Sequence, residues 1–231
     1  MAEAVRTAIF DMDGLMLDTE RLCIRAYDYA GERYGLGRLG WLVEKTLGMN
    51  KIATRRVWKE YLGDDYDEPG IRRYVDEFYA DFRSHSHMPV KKGLYHLLEF
   101  LKNNGFEMAV ASSTSTATVR ANLEDVGVCH YFKEIIGGDC LEASKPQPDI
   151  YLLACARLKK RPQMCYALED SKNGVLAAVA AGCRTIMVPD IWQPDEDFLK
   201  PVAACLCDLD EVCTYIAREM ADEHANGGEG R

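Results

Sequence analysis

The chain has 231 residues, 48% of them hydrophobic and 28% charged, a globular composition with ample material for a buried core. Its 37 acidic residues outnumber the 28 basic ones, for a formal charge of −9. A surface that is negative on average repels phosphate backbones and anionic bilayers, so neither a nucleic acid nor a membrane is an expected partner. No apolar run approaches the about 18–20 residues of a membrane span, and Met1–Phe10 shows no signal-peptide pattern. Nine scattered cysteines without a CxxC motif read as reduced thiols of a cytoplasmic protein. A local basic pocket for a small phosphorylated molecule stays compatible with this composition, and no protein partner is evident.

In chain order, the apolar run Arg6–Phe10 predicts a first strand. From about Glu20 to His87 only helical pattern follows, rich in charge and in aromatics such as Tyr27, Trp58, Tyr74 and Phe78. This predicts a helical subdomain inserted after the first strand, ending near Pro89 and Gly93. Beyond it, Gly93–Asn104 reads as a helix whose Leu94, Leu97, Leu98 and Leu101 form one apolar stripe. Strands at Glu107–Ala111, Glu134–Ile136, Cys165–Leu168, Thr185–Val188 and Ala204–Cys207 are then expected. Helices at Thr116–Val126, Asp149–Leu158 and Lys172–Ala181 fall between them. Gly105 and Gly182 stand just past helices, where a left-handed residue is commonly required. Cys205 and Cys207 alternate along the last strand and read as two small buried hydrophobes. Ala225–Arg231 reads as a frayed tail. Strands alternating with helices predict an α/β fold with a parallel sheet covered on both faces, and ligands sit beyond the carboxyl ends of such strands.

Four loops at those strand ends carry chemistry. Asp11-Met12-Asp13-Gly14 places two carboxylates close together, an arrangement that is costly unless a cation lies between them or one holds a proton. Ser112, Ser113 and Thr114 offer hydroxyls and backbone N–H groups at a helix start, suited to an oxyanion or equally to simple capping. Lys145, ahead of Pro146 and Pro148, is either a fixed positive charge for a phosphoryl group or a solvated loop lysine. Glu169-Asp170-Ser171 ends another apolar run in paired acids, readable as a metal arm or as a capped helix start. The small residues that follow, Gly174 to Gly182, let the next helix lie close to the sheet.

In order, spacing and loop position these four motifs resemble the haloacid dehalogenase (HAD) superfamily. Asp11 and Asp13 match its first motif, Ser112 its second, Lys145 its third and Glu169–Asp170 its fourth, and the likeness runs from about Ala8 to Pro189. Asp11 through Glu20 and Glu169 through Gly174 resemble the phosphatase and β-phosphoglucomutase branch. Met12–Leu22 and Val188-Pro189-Asp190 are similar to pseudouridine-5′-phosphatase-like members. The resemblance implies a Rossmann-like catalytic core, residues 1–18 and 89–231, with an all-helical C1 cap over 19–88. It implies a Mg²⁺-dependent phosphomonoester hydrolase acting on a small sugar phosphate or nucleotide through an aspartyl-phosphate. Asp11 would be the nucleophile and Asp13 the general acid and base. Ser112, Ser113 and Lys145 would bind phosphate, with Lys51 a substrate contact from the cap. The metal would be held by Asp11, the main-chain carbonyl of Asp13, Asp170, and Glu169 directly or through water. The alternative is a β-phosphoglucomutase-like isomerase of hexose phosphates, but that subgroup carries a hinge histidine where this chain has Cys23. Phosphonate hydrolysis fits less well because Asp13 is present. A binding protein without activity fits less well because no catalytic position is degraded.

Overall fold

Six short apolar segments assemble into one parallel sheet: β1 (Thr7–Phe10), β2 (Glu107–Ala111), β3 (Glu134–Ile136), β4 (Tyr166–Glu169), β5 (Arg184–Met187) and β6 (Ala204–Cys205). Their order is β3-β2-β1-β4-β5-β6, and every pairing is parallel. This structure, a computed structural model, describes residues 5–47 and 51–227, with the side chains of 51–53 and 224–227 outside the description.

Ten α-helices, besides three single-turn 3-10 helices, complete the described residues. Four follow β1: α1 (Thr19–Tyr34), α2 (Gly40–Thr46), α3 (Lys51–Leu62) and α4 (Glu68–His85). The others are α5 (Leu94–Asn103), α6 (Thr116–Asp125), α7 (Asp149–Leu158), α8 (Lys172–Ala181), the short α9 (Glu196–Leu199) and α10 (Leu209–Gly227). Internal contacts gather the chain into two units, Met1–Leu17 with Val90–Arg231, and Asp18–Pro89.

In the first unit, strand register decides which side chains share a face. Ile9 lies opposite Ala109 on one neighbour and Ala167 on the other. All three are fully buried with Ile150, Tyr151 and Ala154 of α7 and with Ala177, Ala178 and Ala181 of α8. The alanines keep α8 close to the strands, as its run of small residues predicts. The alternate residues Phe10, Val110 and Leu168 are just as buried, so both faces are covered and the strands read as continuous apolar runs. On that second side Phe106 stacks on Tyr166, and α10 ties to β5 through a Glu219–Arg184 ion pair. α5 packs against α10 and buries Leu94, Leu97, Leu98 and Leu101 to 1% exposure or less, worth about 1.5–3 kcal/mol for each side chain.

The predicted α/β sheet is therefore the one formed, with small differences at its ends. β4 and β5 are each offset by one residue from their expected positions, and β6 stops at Cys205. Cys205 and Cys207 are exposed rather than buried, because β6 is the sheet's last strand and pairs only with β5. α10 continues to Gly227, so the expected frayed tail is helical that far, and 228–231 lie outside the described residues.

The second unit has its own core. Ala26, Ala30, Leu42, Trp58, Ile71 and Val75 bury one another, and Tyr27 meets Trp58 edge to face at 5.0 Å. α4 begins where Asp67 accepts a hydrogen bond from Gly70 N at 3.0 Å, with Pro69 in its first turn. The two crossings of the chain lie side by side: within the first unit Leu17 bridges Val90, and within the second Asp18 N donates to Pro89 O at 2.8 Å. Among the described residues no helix is long and apolar enough to cross a membrane.

Candidate active site

β1 and β4 are neighbours at the point where strand order reverses, and the loops that follow them open at the same sheet edge. Asp11 N donates to Leu168 O at 3.0 Å, holding the first residue past β1 against β4. The chain then turns sharply: Gly14 has φ of 81°, a left-handed conformation open to glycine, and Met16 N and Leu17 N both donate to Met12 O. The turn leaves Asp11 buried and Asp13 half-buried, both at the sheet edge.

Lys145 comes from the loop before α7 and is 8% exposed. Its ammonium donates to Asp11 Oδ1 at 2.5 Å, Glu169 Oε1 at 2.6 Å and the Ala111 carbonyl at 2.9 Å. Those three bonds use all three of its N–H donors. Glu169, at the end of β4, has no exposed surface. Its Oε1 also accepts from the Tyr151 hydroxyl at 2.6 Å, and its Oε2 from Ser171 Oγ at 3.3 Å. Ser171 in turn caps α8, accepting from Gly174 N at 3.1 Å. A side chain at Gly174 would start 2.0 Å from the Glu169 carboxylate carbon and both its oxygens, so the carboxylate occupies the space that this glycine leaves.

A second group of bonds surrounds Asp13. Its Oδ2 accepts from Ser112 Oγ at 3.1 Å and Thr114 Oγ1 at 2.8 Å, while Thr114 N donates back to Ser112 Oγ at 3.0 Å. The loop after β2 thus delivers two hydroxyls to one carboxylate.

Burial pushes the Asp11 carboxyl up to about 8; Lys145 pulls the other way, but the charges of Glu169 and Asp13 add to the rise. Burial pulls the Lys145 ammonium down, and the Asp11 and Glu169 carboxylates more than reverse it, holding it above the usual lysine range. Asp11, Glu169 and the buried Asp170 each bring a carboxylate oxygen within 4.8 Å of the others. Three buried carboxyl groups gather around one ammonium, an excess of acid over fixed cation. Hard oxygen donors around such an excess suit a divalent cation, so these residues fit the metal that the family resemblance implies.

The structure therefore brings Asp11, Asp13, Ser112, Lys145, Glu169 and Asp170 to one strand edge. Ser113 is exposed, and its hydroxyl is not part of the bonded group. Lys51 opens α3, but its side chain lies outside the described residues. Sequence reading missed the role of two participants. Thr114 belongs to the same hydroxyl-rich turn as Ser112 but its partner is 101 residues away, and Tyr151 sits at a helix position that periodicity assigns to the apolar core. The arrangement combines a buried carboxylate held beside a fixed cation, a second carboxylate on hydroxyl donors, and a cluster able to hold a metal. These are the parts that a displacement at phosphorus requires.

Comparison with known proteins agrees. Residues 8–188 match the haloacid dehalogenase-like hydrolase family. The chain is 31% identical over 182 residues to a phosphorylated carbohydrates phosphatase of Thermotoga maritima, covering 79% of this chain and 84% of that one. It is 30% identical over 193 residues to the fructose-1-phosphate phosphatase YqaB of Escherichia coli, covering 81% and 98%. The crystal structure of CbbY from Rhodobacter sphaeroides in complex with phosphate superposes with a TM-score of 0.74 at 29% identity, covering 90% of this chain and 96% of that one. The motifs at the strand ends, the parallel sheet and these relatives lead to one assignment: the chain belongs to the haloacid dehalogenase-like hydrolase family and is a hydrolase of its phosphatase branch.

Proposed function

We propose that the protein is a Mg²⁺-dependent phosphomonoester hydrolase that cleaves a small sugar phosphate or nucleotide through an aspartyl-phosphate on Asp11. The observation that carries this reading is the placement of Asp11, buried at the end of β1, bonded to Lys145 and grouped with Glu169 and Asp170. The two relatives named for phosphorylated carbohydrates and fructose 1-phosphate favour a sugar phosphate.

An oxygen of Asp11 attacks phosphorus in line, and the bond from phosphorus to the ester oxygen breaks. Asp13, oriented by Ser112 and Thr114, donates a proton to the departing alkoxide. It then takes a proton from the water that attacks the aspartyl-phosphate, which releases inorganic phosphate and restores Asp11. Lys145, by its charge, and Ser112, whose O–H turns from Asp13 to the bound phosphate and leaves Thr114 to hold the acid, stabilise the charge on the equatorial oxygens, with donors from Ser113 at the same turn. Asp11, the main-chain carbonyl of Asp13, Asp170 and Glu169 would hold Mg²⁺, which when bound supplies positive charge against the phosphate and the carboxylates. The helical segment 19–88 acts as a cap that selects the leaving group, with Lys51 a contact to it.

The test is inorganic phosphate release from a panel of sugar phosphates and nucleotides, with Mg²⁺ and with EDTA. β-Glucose 1-phosphate belongs in the panel, with glucose 6-phosphate followed in parallel. Metal-dependent phosphate release is the expected result. Glucose 6-phosphate formed without free phosphate would make the protein a mutase despite Cys23. No turnover and no binding of phosphate analogues would overturn the enzymatic reading.

A further inference from the structure

Tyr151 is among the largest fully buried side chains of the described residues, with no exposed surface. It lies in the first turn of α7, among Ile9, Ala109, Ala154 and Ala167. Phenylalanine would fill the same space without bringing a hydroxyl into the core, where an unbonded one is costly. The hydroxyl has a specific destination: it donates to Glu169 Oε1 at 2.6 Å. Lys145 Nζ lies 3.5 Å from the same hydroxyl and 5.1 Å from the ring centroid. Its three N–H groups are already directed to Asp11, Glu169 and Ala111, so the ring faces the ammonium by charge attraction while the phenolic proton serves Glu169.

We propose that Tyr151 is a positioning residue of the metal centre, holding the Glu169 carboxylate in place beside those of Asp11 and Asp170. This rests on the reading of that cluster as a divalent-cation site. Two donors converge on Glu169 Oε1, but Lys145 is shared with Asp11, and Ser171 reaches the other oxygen at a longer 3.3 Å. The Tyr151 hydroxyl is the short bond that Glu169 shares with no other carboxylate. Removing it frees the carboxylate to rotate and weakens its hold on a cation, as loss of an outer partner of a metal ligand does elsewhere.

The experiment is calorimetric titration of the metal-stripped full chain with Mg²⁺ and with Mn²⁺, for wild type, Tyr151→Phe, Glu169→Gln and the double variant. Urea unfolding in EDTA verifies that each variant is folded. Tyr151→Phe should bind metal about 10–100-fold more weakly than wild type. In the Glu169→Gln background the same change should cause no further loss, because its effect passes through that carboxylate. Equal affinities of wild type and Tyr151→Phe would overturn the role of Tyr151 while leaving the metal centre standing. So would a loss of the same size in the presence and absence of Glu169. A wild-type chain that binds neither cation would overturn the metal centre itself, and the role of Tyr151 with it.

Discussion

Gly174→Ala tests how tightly the carboxylate cluster is built. Alanine normally favours a helix over glycine by about 1 kcal/mol, and the backbone here is not left-handed, so propensity alone predicts a gain. The structure predicts the opposite sign. The added methyl would stand 2.0 Å from the Glu169 carboxylate, whereas non-bonded atoms settle near about 3.5 Å, so one of them must retreat by roughly 1.5 Å. Glu169 is fully buried and bonded to Lys145 and Tyr151 at 2.6 Å, so its retreat breaks a buried charge pair. Breaking such a pair costs about 3–5 kcal/mol, which after the propensity gain leaves a net loss of about 2–4 kcal/mol. Urea unfolding in EDTA measures this directly. The same substitution in a Glu169→Ala background, where the obstructing carboxylate is gone, should be neutral or stabilising. A Gly174→Ala variant as stable as wild type would refute the close packing of carboxylate against helix.

Three further outcomes are expected. Asp11→Asn should release no phosphate at any substrate concentration, and measurable turnover by the pure variant would remove Asp11 from the nucleophile's role. Lys145→Met leaves Asp11 and Glu169 buried without their counter-charge, so in EDTA it should lose about 3–5 kcal/mol by urea unfolding, part of which added Mg²⁺ should recover. Thr114→Val removes one of the two hydroxyls on Asp13, and the loss of a bond to a charged group, about 1.5–3 kcal/mol, should appear as a fall in kcat of roughly 10–100-fold. Calorimetric metal affinity should stay at the wild-type value in that variant, and a matching drop in it would contradict the separation of the Asp13 bonds from the cation site.

The residues that sequence pattern exposes most clearly are those at transitions. Asp11, Ser112, Lys145 and Glu169 stand where an apolar run gives way to a loop or where a loop leads into a helix, and a polar residue at such a point has no role in the local periodicity. The stripe of α5 is legible for the complementary reason, since Leu94, Leu97, Leu98 and Leu101 satisfy one helical period. What pattern does not carry is the identity of a distant partner. Tyr151 reads as core and is core, yet its hydroxyl serves a carboxylate 18 residues further on. Gly174 reads as a small residue that brings α8 near the sheet, but what comes near it is the side chain of Glu169. Cys205 and Cys207 show the same limit on the surface: alternation tells which residues share a face, and only the position of β6 beside a single neighbour tells that the face is open.

The bridge between Leu17 and Val90, with Asp18 bonded to Pro89, means that the inserted helices begin and end at the same place. A guest segment tied off at its own neck can be lengthened, shortened or exchanged while its host keeps every strand in register, as insertions between close chain ends commonly are. The groups proposed to react, Asp11, Asp13, Ser112, Lys145, Glu169 and Asp170, all belong to the host. On the proposed reading, descent can revise the guest while the chemistry stays in the host, giving one inherited reaction many successive clients.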